Sequence, residues 1–544
     1  MEANSLIQNP QKKQELNEED MDGNSKCLSN LPEEILLHIL SFLPTKDVVR
    51  TSVPSKRWDY LWASIPNLVF EQSLPAKRTL LMNFVDRALC LRYSSDIKRF
   101  TLRCDVLCDS SRVNTWISAV VRHNVQELSI ELDKFKGVFS LPYCLFTCKT
   151  LTSLQLEMPY ILKLPTTICF SNLKILTIRN VTFSDEYLTQ QLFSGLPVLE
   201  ELVLFGCSWG DLKSVCISAP KLYFLHIWET EIPDDDFWNY KDVCQVMIVG
   251  DSLKEFYYMS LMCGDYCLYK SFSLEKGELD TNYEYVSDHD YIPDEIIHGM
   301  YKLLVGLSSV KSLRLSSDVV EVLRNAEELL PHIPMFNNLK ELVFHGCLMD
   351  LGCATLSTIL QRSPCLERLQ FLGGFTLSSN CEKDDRILNP IPPCFLSHLK
   401  WIGVDSFGVD ENFLFSLKIF LNKAIVLETI VIFLLMGDYG RNLNLQDKYC
   451  EQLMELPAGP QNCKIVVEWF DSFPNIVSRG LRLKSPWMQT ILWGQFAGKV
   501  KVLSDLCGGS ALHGPEVYLT GIGIRSGHTL EWFFVIKKKL NKKS

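Results

Sequence analysis

"LEELVLFGCSW" at residues 199–209 and "LKELVFHGCLM" at residues 339–349 share one spacing: apolar residues at places one, four and six, and a cysteine at place nine. The six-residue part returns from Ile97, Val125, Leu151, Leu173, Leu199, Leu222, Leu253, Val310, Leu339, Leu366, Leu399 and Leu427. Most intervals are 22 to 33 residues, while the one from 253 to 310 spans 57 and leaves room for an irregular repeat or an insertion. A period of this length marks a solenoid, in which each unit buries its apolar face only by stacking on its neighbours.

The longer form resembles the leucine-rich repeat, whose consensus is L-x-x-L-x-L-x-x-N/C-x-L. That resemblance implies an α/β fold, with short parallel strands about 4.8 Å apart on the concave face of an arc and helices or irregular segments outside. Cys207 and Cys347 are then expected to be small buried residues beneath their turns. Side chains at places two, three and five are expected to point outward from the concave side. Lys98, Glu200, Tyr223, His226, Lys311, Arg314, Lys340, Glu341, Arg368 and Lys400 are the candidate target-binding residues.

Upstream, "LSNLPEEILLHILSFLPTKDVVRTSVPSKRWDYLW" at residues 28–62 reads as three short helices. Pro32 suits the first helical position, and Glu33 and Glu34 then face the positive end of the helix dipole. Ile35, Leu36, Ile39, Leu40, Phe42 and Leu43 make the first helix apolar on more sides than a small module can hide. Pro44 stops it, Thr45 is a suitable N-cap for the second helix, and Pro54 predicts a break at residues 53–54.

This stretch resembles the F-box, the module that binds a Skp-type adaptor and through it a cullin-based ubiquitin ligase. The resemblance implies an adaptor-facing set of Leu31, Pro32, Ile35, Leu36, Leu40, Leu43, Val48, Trp58 and Trp62. Trp58→Ala is then expected to weaken adaptor binding by about 2 kcal/mol or more, measured by titration calorimetry.

Residues 394–467 resemble the FBD domain through Cys394, Leu399, Lys400, Phe420, Leu421, Ala424, Leu427 and Cys463, in the order strand, helix, strand, long loop, helix, strand. The expected organisation is a disordered leader at 1–27, the F-box module at 28–70, and a repeat array at 71–393 with an insert at about 261–308. The FBD-like capping segment follows at 394–467, and then a C-terminal extension at 468–544 with poor order.

Composition narrows the function. A formal charge of −10 gives no global footprint for phosphate backbones. The longest apolar run, residues 429–436, is far short of the ~20 residues that span a bilayer. With no secretory h-region, the expected location is intracellular, nucleus and/or cytosol; the 20 cysteines are read as reduced and mostly buried, and the Asn180-Val181-Thr182 sequon as unused. Asp288, His289, Asp290, Asp294, Glu295 and His298 could suggest a metal, but a helix beginning near Pro293 explains them with its first-turn acids.

No hydrolase, zincin or P-loop motif occurs, so no catalytic residue and no cofactor is expected. The expected function is the substrate-recognition subunit of a Skp-cullin-F-box ligase, with the repeat arc holding an unknown target protein. No nucleic-acid or membrane partner is expected. The alternative is a repeat scaffold acting outside a ligase, its F-box weakened by Pro54.

Overall fold

A computed structural model describes residues 31–51, 61–92, 96–135, 140–229, 243–260, 264–269, 272–281, 292–326, 328–377, 387–406, 408–435, 443–457, 463–470, 517–526 and 529–538. The chain divides into two compact units, Met1–Leu145 and Phe146–Ser544.

In the first unit a helix runs over Glu33–Leu40. Pro32 stands just outside it, at φ −56° and ψ 149°, so the proline fixes the entry instead of occupying the first turn. The second helix is Thr45–Thr51, and Thr45 is its first residue, not its cap. The buried Thr45 hydroxyl instead accepts a 2.7 Å bond from the Val69 amide, tying this helix to the strand Asn67–Glu71. The Pro54 break lies outside the described residues.

That strand pairs in parallel with Arg99–Leu107, which pairs with Glu127–Phe135. Ile65, Leu68 and Phe70 are buried at places one, four and six of the repeat pattern. Repeat architecture therefore starts inside residues 28–70, one unit before the hexad at Ile97. Pro66 and the nearby F-box resemblance obscured it.

The second unit carries the long ladder. Ser153, Ile175, Glu201, Phe224, Glu255, Lys276, Ser312, Glu341, Arg368, Trp401, Thr429 and Lys464 stand opposite one another through twelve parallel strands. Ten of these are the third place of a hexad recognised in the sequence, so hydrophobic phase alone set the register. Places one, four and six are buried, and the next helix often packs there: Ser317–Arg324, for example, buries Val319, Val320, Val322 and Leu323. Several helices begin at a side-chain cap, as at Asp410, which accepts from the Phe413 amide at 2.7 Å.

The interval 253–310 holds ladder strand Lys276–Thr281 and helix Asp294–Gly306, which begins next to Pro293. Ile296, Ile297, Leu303 and Leu304 are buried in that helix, while Tyr301 is half-buried and donates to the His332 carbonyl. Asp288, His289 and Asp290 lie outside the described residues. The extra strand was hidden because its fourth place is Gly277, where an added Cβ would lie 2.8 Å from Leu307 Cδ2. Leu307 fills the space a leucine would take. Gly277→Leu is therefore expected to destabilise by about 1–3 kcal/mol in denaturant melts, although it restores the consensus.

A second parallel sheet, unsignalled in the sequence, joins Ser214–Ser218, Gln245–Val249 and Asp265–Tyr269. Where it meets the main ladder, Glu229 accepts from the hydroxyls of Tyr258 at 2.8 Å and Tyr266 at 2.5 Å. Trp209 donates its indole N–H to Tyr266 at 2.8 Å, and burial pushes the Glu229 carboxyl up.

The FBD-like segment gives strands Trp401–Ser406, Thr429–Leu435 and Lys464–Phe470, with helices Glu411–Lys423 and Leu443–Met454 between them. Its strands continue the ladder as further rungs. Of the residues carrying the FBD resemblance, Cys394, Leu399, Phe420, Leu421, Ala424 and Leu427 are all buried. Residues 517–526 and 529–538, from the stretch expected to lack order, pair as an antiparallel hairpin, and the second strand adds to Lys464–Phe470.

Candidate functional site

In the helical module the residues expected at a docking face separate by burial. Leu36, Leu40 and Val48 have relative exposures of 0, 1 and 0%. They are the module's own core, which corrects the expectation that they face outward: the first helix packs this side on the short turn Leu61–Ser64. Pro32, Ile35 and Leu43 are exposed, Leu31 and Trp62 are half-buried, and Trp58 lies outside the described residues.

Ile39 and Phe42, absent from the expected set, join Ile35 and Leu43 in one strip with exposures of 37, 63, 47 and 40% in that order. The i, i+4, i+7, i+8 spacing places them along one side of the helix and the turn after it. A helix apolar all round announces two partners, but its sequence does not say which side faces inward.

On the ladder face of the second unit, most expected contact residues already have cross-strand partners. Lys174 meets Glu200 at 2.8 Å, Lys311 meets Glu275 at 3.6 Å, Lys340 meets Glu367 at 2.9 Å and Lys400 meets Glu428 at 3.3 Å. Such exposed pairs contribute about 0–1 kcal/mol, so an arriving partner can exchange them at little cost. Glu341 accepts from Ser312 at 2.9 Å and lies 3.7 Å from Arg368, whose guanidinium sits 4.2 Å from the centre of the Trp401 ring. Tyr223 donates to Glu201 at 2.5 Å. Lys98 is exposed in the first unit.

At the middle of this face lies an aromatic group. Ring centres are 4.6 Å apart for Phe205 and Trp228, 6.0 Å for His226 and Tyr257, and 5.4 Å for Phe224 and Tyr257. Burial, reinforced by Arg179, lowers His226 to about 4. His226 is thus a neutral, half-buried ring on the ladder face, packed on its neighbours, and its buried Nδ1 has no hydrogen-bond partner among the described residues.

Arg314 is likewise turned sideways, with Nε 2.9 Å from Glu278, while His345 Nε2 lies 3.6 Å from the same carboxylate. Burial and Arg314 lower His345 to about 3. Burial and then Glu278 raise neighbouring Asp280 to about 7. On the ladder strands from Glu201 to Lys276 and the residue before each, Glu200, Glu201, Glu229, Glu255, Glu275, Glu278 and Asp280 are accompanied by Lys254 and Lys276 among the described residues, while Lys174, Lys311 and Arg314 reach Glu200, Glu275 and Glu278 from the flanking rungs. No window of sequence displays this local acid excess, because its members are spread over residues 200–280 until register sets them side by side.

The raised carboxyl gives a testable sign. Stability from a protonated Asp280 is fully present below about pH 4 and is lost as pH rises through about 7. His226 and His345 act oppositely: their contribution is present above about pH 6.5 and is lost as pH falls towards 4 and 3. Asp280→Asn is expected to stabilise the chain by about 2 kcal/mol at pH 8 and hardly at all at pH 4 in urea melts. Parallel stability curves for parent and variant would contradict this account.

Cysteine placement is mixed. Cys207 is buried and donates to the Ile178 carbonyl, but Cys347 is exposed. The exposure of Cys347 corrects its expected burial, although a glycine of positive φ precedes each cysteine, Gly206 at +59° and Gly346 at +95°. Cys90, Cys108, Cys169 and Cys267 are also exposed, against the expectation of mostly buried thiols. Among the described residues, no group of three or more His, Cys, Asp or Glu could hold a metal ion, and no helix is long and apolar enough to cross a membrane.

A short helical module followed by a ladder of parallel strands in leucine-rich phase defines the F-box/leucine-rich-repeat class. A family model for F-box-like domains matches residues 28–65, and one described as "FBD-associated F-box protein At5g56370, LRR repeats" matches residues 113–244. F-box/LRR-repeat protein At3g59210 of Arabidopsis thaliana is 30% identical over 482 residues, covering 82% of this chain and 95% of that protein. F-box/LRR-repeat protein At4g14103 of the same plant is 30% identical over 372 residues, 65% of this chain and 93% of that protein. FBD-associated F-box protein At4g13985, also from Arabidopsis thaliana, is 28% identical over 466 residues, 81% of this chain and 95% of that protein. The chain belongs to this plant F-box/LRR-repeat family.

Proposed function

We propose that the chain is the substrate-recognition subunit of a Skp-cullin-F-box ubiquitin ligase. The observation that carries this reading is the exposed strip Ile35, Ile39, Phe42 and Leu43, on a helix whose other side is already packed. A module this small gains from covering such a strip, and an adaptor helix laid along it would do so. The ladder face holds a target protein, which supports a non-catalytic role: rate comes from holding the target near a charged conjugating enzyme, not from a nucleophile in this chain.

The test is to express the chain with and without residues 28–62. The intact chain is expected to co-purify with a Skp-type adaptor. The shortened chain is expected to lose the adaptor and accumulate unmodified target. Adaptor retention after the deletion contradicts the docking assignment, and absence of any adaptor from the intact chain favours a scaffold outside a ligase.

A further inference from the structure

We propose that the ladder face around Trp228, Met259 and Asp280 receives a lysine or arginine side chain from an extended segment of the captured protein, an assignment that rests on the target-receptor reading above. Trp228, Met259 and Asp280 stand directly opposite one another on three adjacent strands, and His226, Tyr257 and Glu278 form the parallel row beside them. Neighbouring strands are about 4.8 Å apart, so an aliphatic stem lying across the half-buried Trp228 and Met259 brings its cationic head to Asp280.

Charge selects the head group. Around Asp280 lie Glu278, Asp318, the Ser316 hydroxyl and the Thr281 amide. The Arg314 guanidinium is committed to Glu278 at 2.9 Å. Two further carboxylates therefore crowd Asp280, and its direct bonds come from a neutral hydroxyl and an amide. A cation from outside relieves that crowding, whereas an acidic or purely apolar side chain leaves or worsens it.

The experiment uses the whole chain co-purified with its adaptor and fluorescence anisotropy with synthetic peptides alternating serine with lysine, arginine or glutamate. The lysine or arginine peptide is expected to bind, and the glutamate peptide not to. Asp280→Asn, which is expected to stabilise the fold, should weaken binding at least about tenfold, and Trp228→Ala should do likewise. Glu295→Gln, exposed on the helix Asp294–Gly306 and not on a ladder strand, should leave binding unchanged. Equal binding of the glutamate peptide, or unaltered binding by Asp280→Asn, overturns the assignment. So does spermine competing as well as the peptide with the same dependence on Asp280, which would mark a site for small polycations. Should the chain lacking residues 28–62 hold a target equally well with Asp280→Asn, the receptor reading stands and this assignment fails. Peptide binding that depends on Asp280 in a chain that traps no target gives the reverse.

Discussion

Ile39→Asp combined with Phe42→Asp is expected to cut adaptor binding by at least about a hundredfold, roughly 2.7 kcal/mol, while leaving the thermal midpoint within a degree or two. Both side chains are exposed in the chain by itself, so the folded state loses little when they change. In a complex the same positions would sit in apolar contact, where two carboxylates cost far more than lost area. Leu36→Ala is the informative contrast: it empties a fully buried position and should cost about 2–5 kcal/mol of stability. Calorimetric binding and thermal melts on both variants separate docking from folding. Full adaptor affinity in the double aspartate variant would remove the strip from the interface.

Glu229→Ala is expected to lower stability by about 3 kcal/mol or more in denaturant melts, with no change in adaptor binding. The substitution strips the acceptor from the Tyr258 and Tyr266 hydroxyls, which donate to it at 2.8 and 2.5 Å. Both tyrosines are nearly fully buried, so their donors find no water in exchange. Tyr266→Phe removes one donor and also the acceptor used by Trp209, and should cost about 1–3 kcal/mol. A loss below about 1 kcal/mol for Glu229→Ala would mean that the network relaxes around the gap.

The ladder was legible because its signal is local: three apolar places within six residues, repeated, fix both the strand and its phase. Where a rung breaks the pattern, legibility ends. Gly277 gives its fourth place to Leu307, a distant residue of the chain, and no window of sequence displays that exchange of partners. The F-box was legible as a family resemblance, yet the side each aliphatic takes was not, since Leu36 and Ile35 are chemically alike and differ only in what packs on them. Repeat phase assigns residues such as Lys340 and Arg314 to strands. It does not assign their partners, because Lys340 meets Glu367 and Arg314 meets Glu278 only through register.

That register also uncouples length from content. Each third place aligns with the next whether the intervening chain is as short as that from Ser153 to Ile175 or as long as that from Lys276 to Ser312. Length matters little because closing a loop twice as long costs only about 0.6 kcal/mol more. Segments between rungs can therefore be lengthened or shortened without shifting the side chains presented by the strands on either side, as long as the residues that pack beneath the rungs, such as Leu307 under Gly277, are kept. For a lineage of such repeat proteins, new surface chemistry can be tried one rung at a time while the neighbouring rungs keep their spelling.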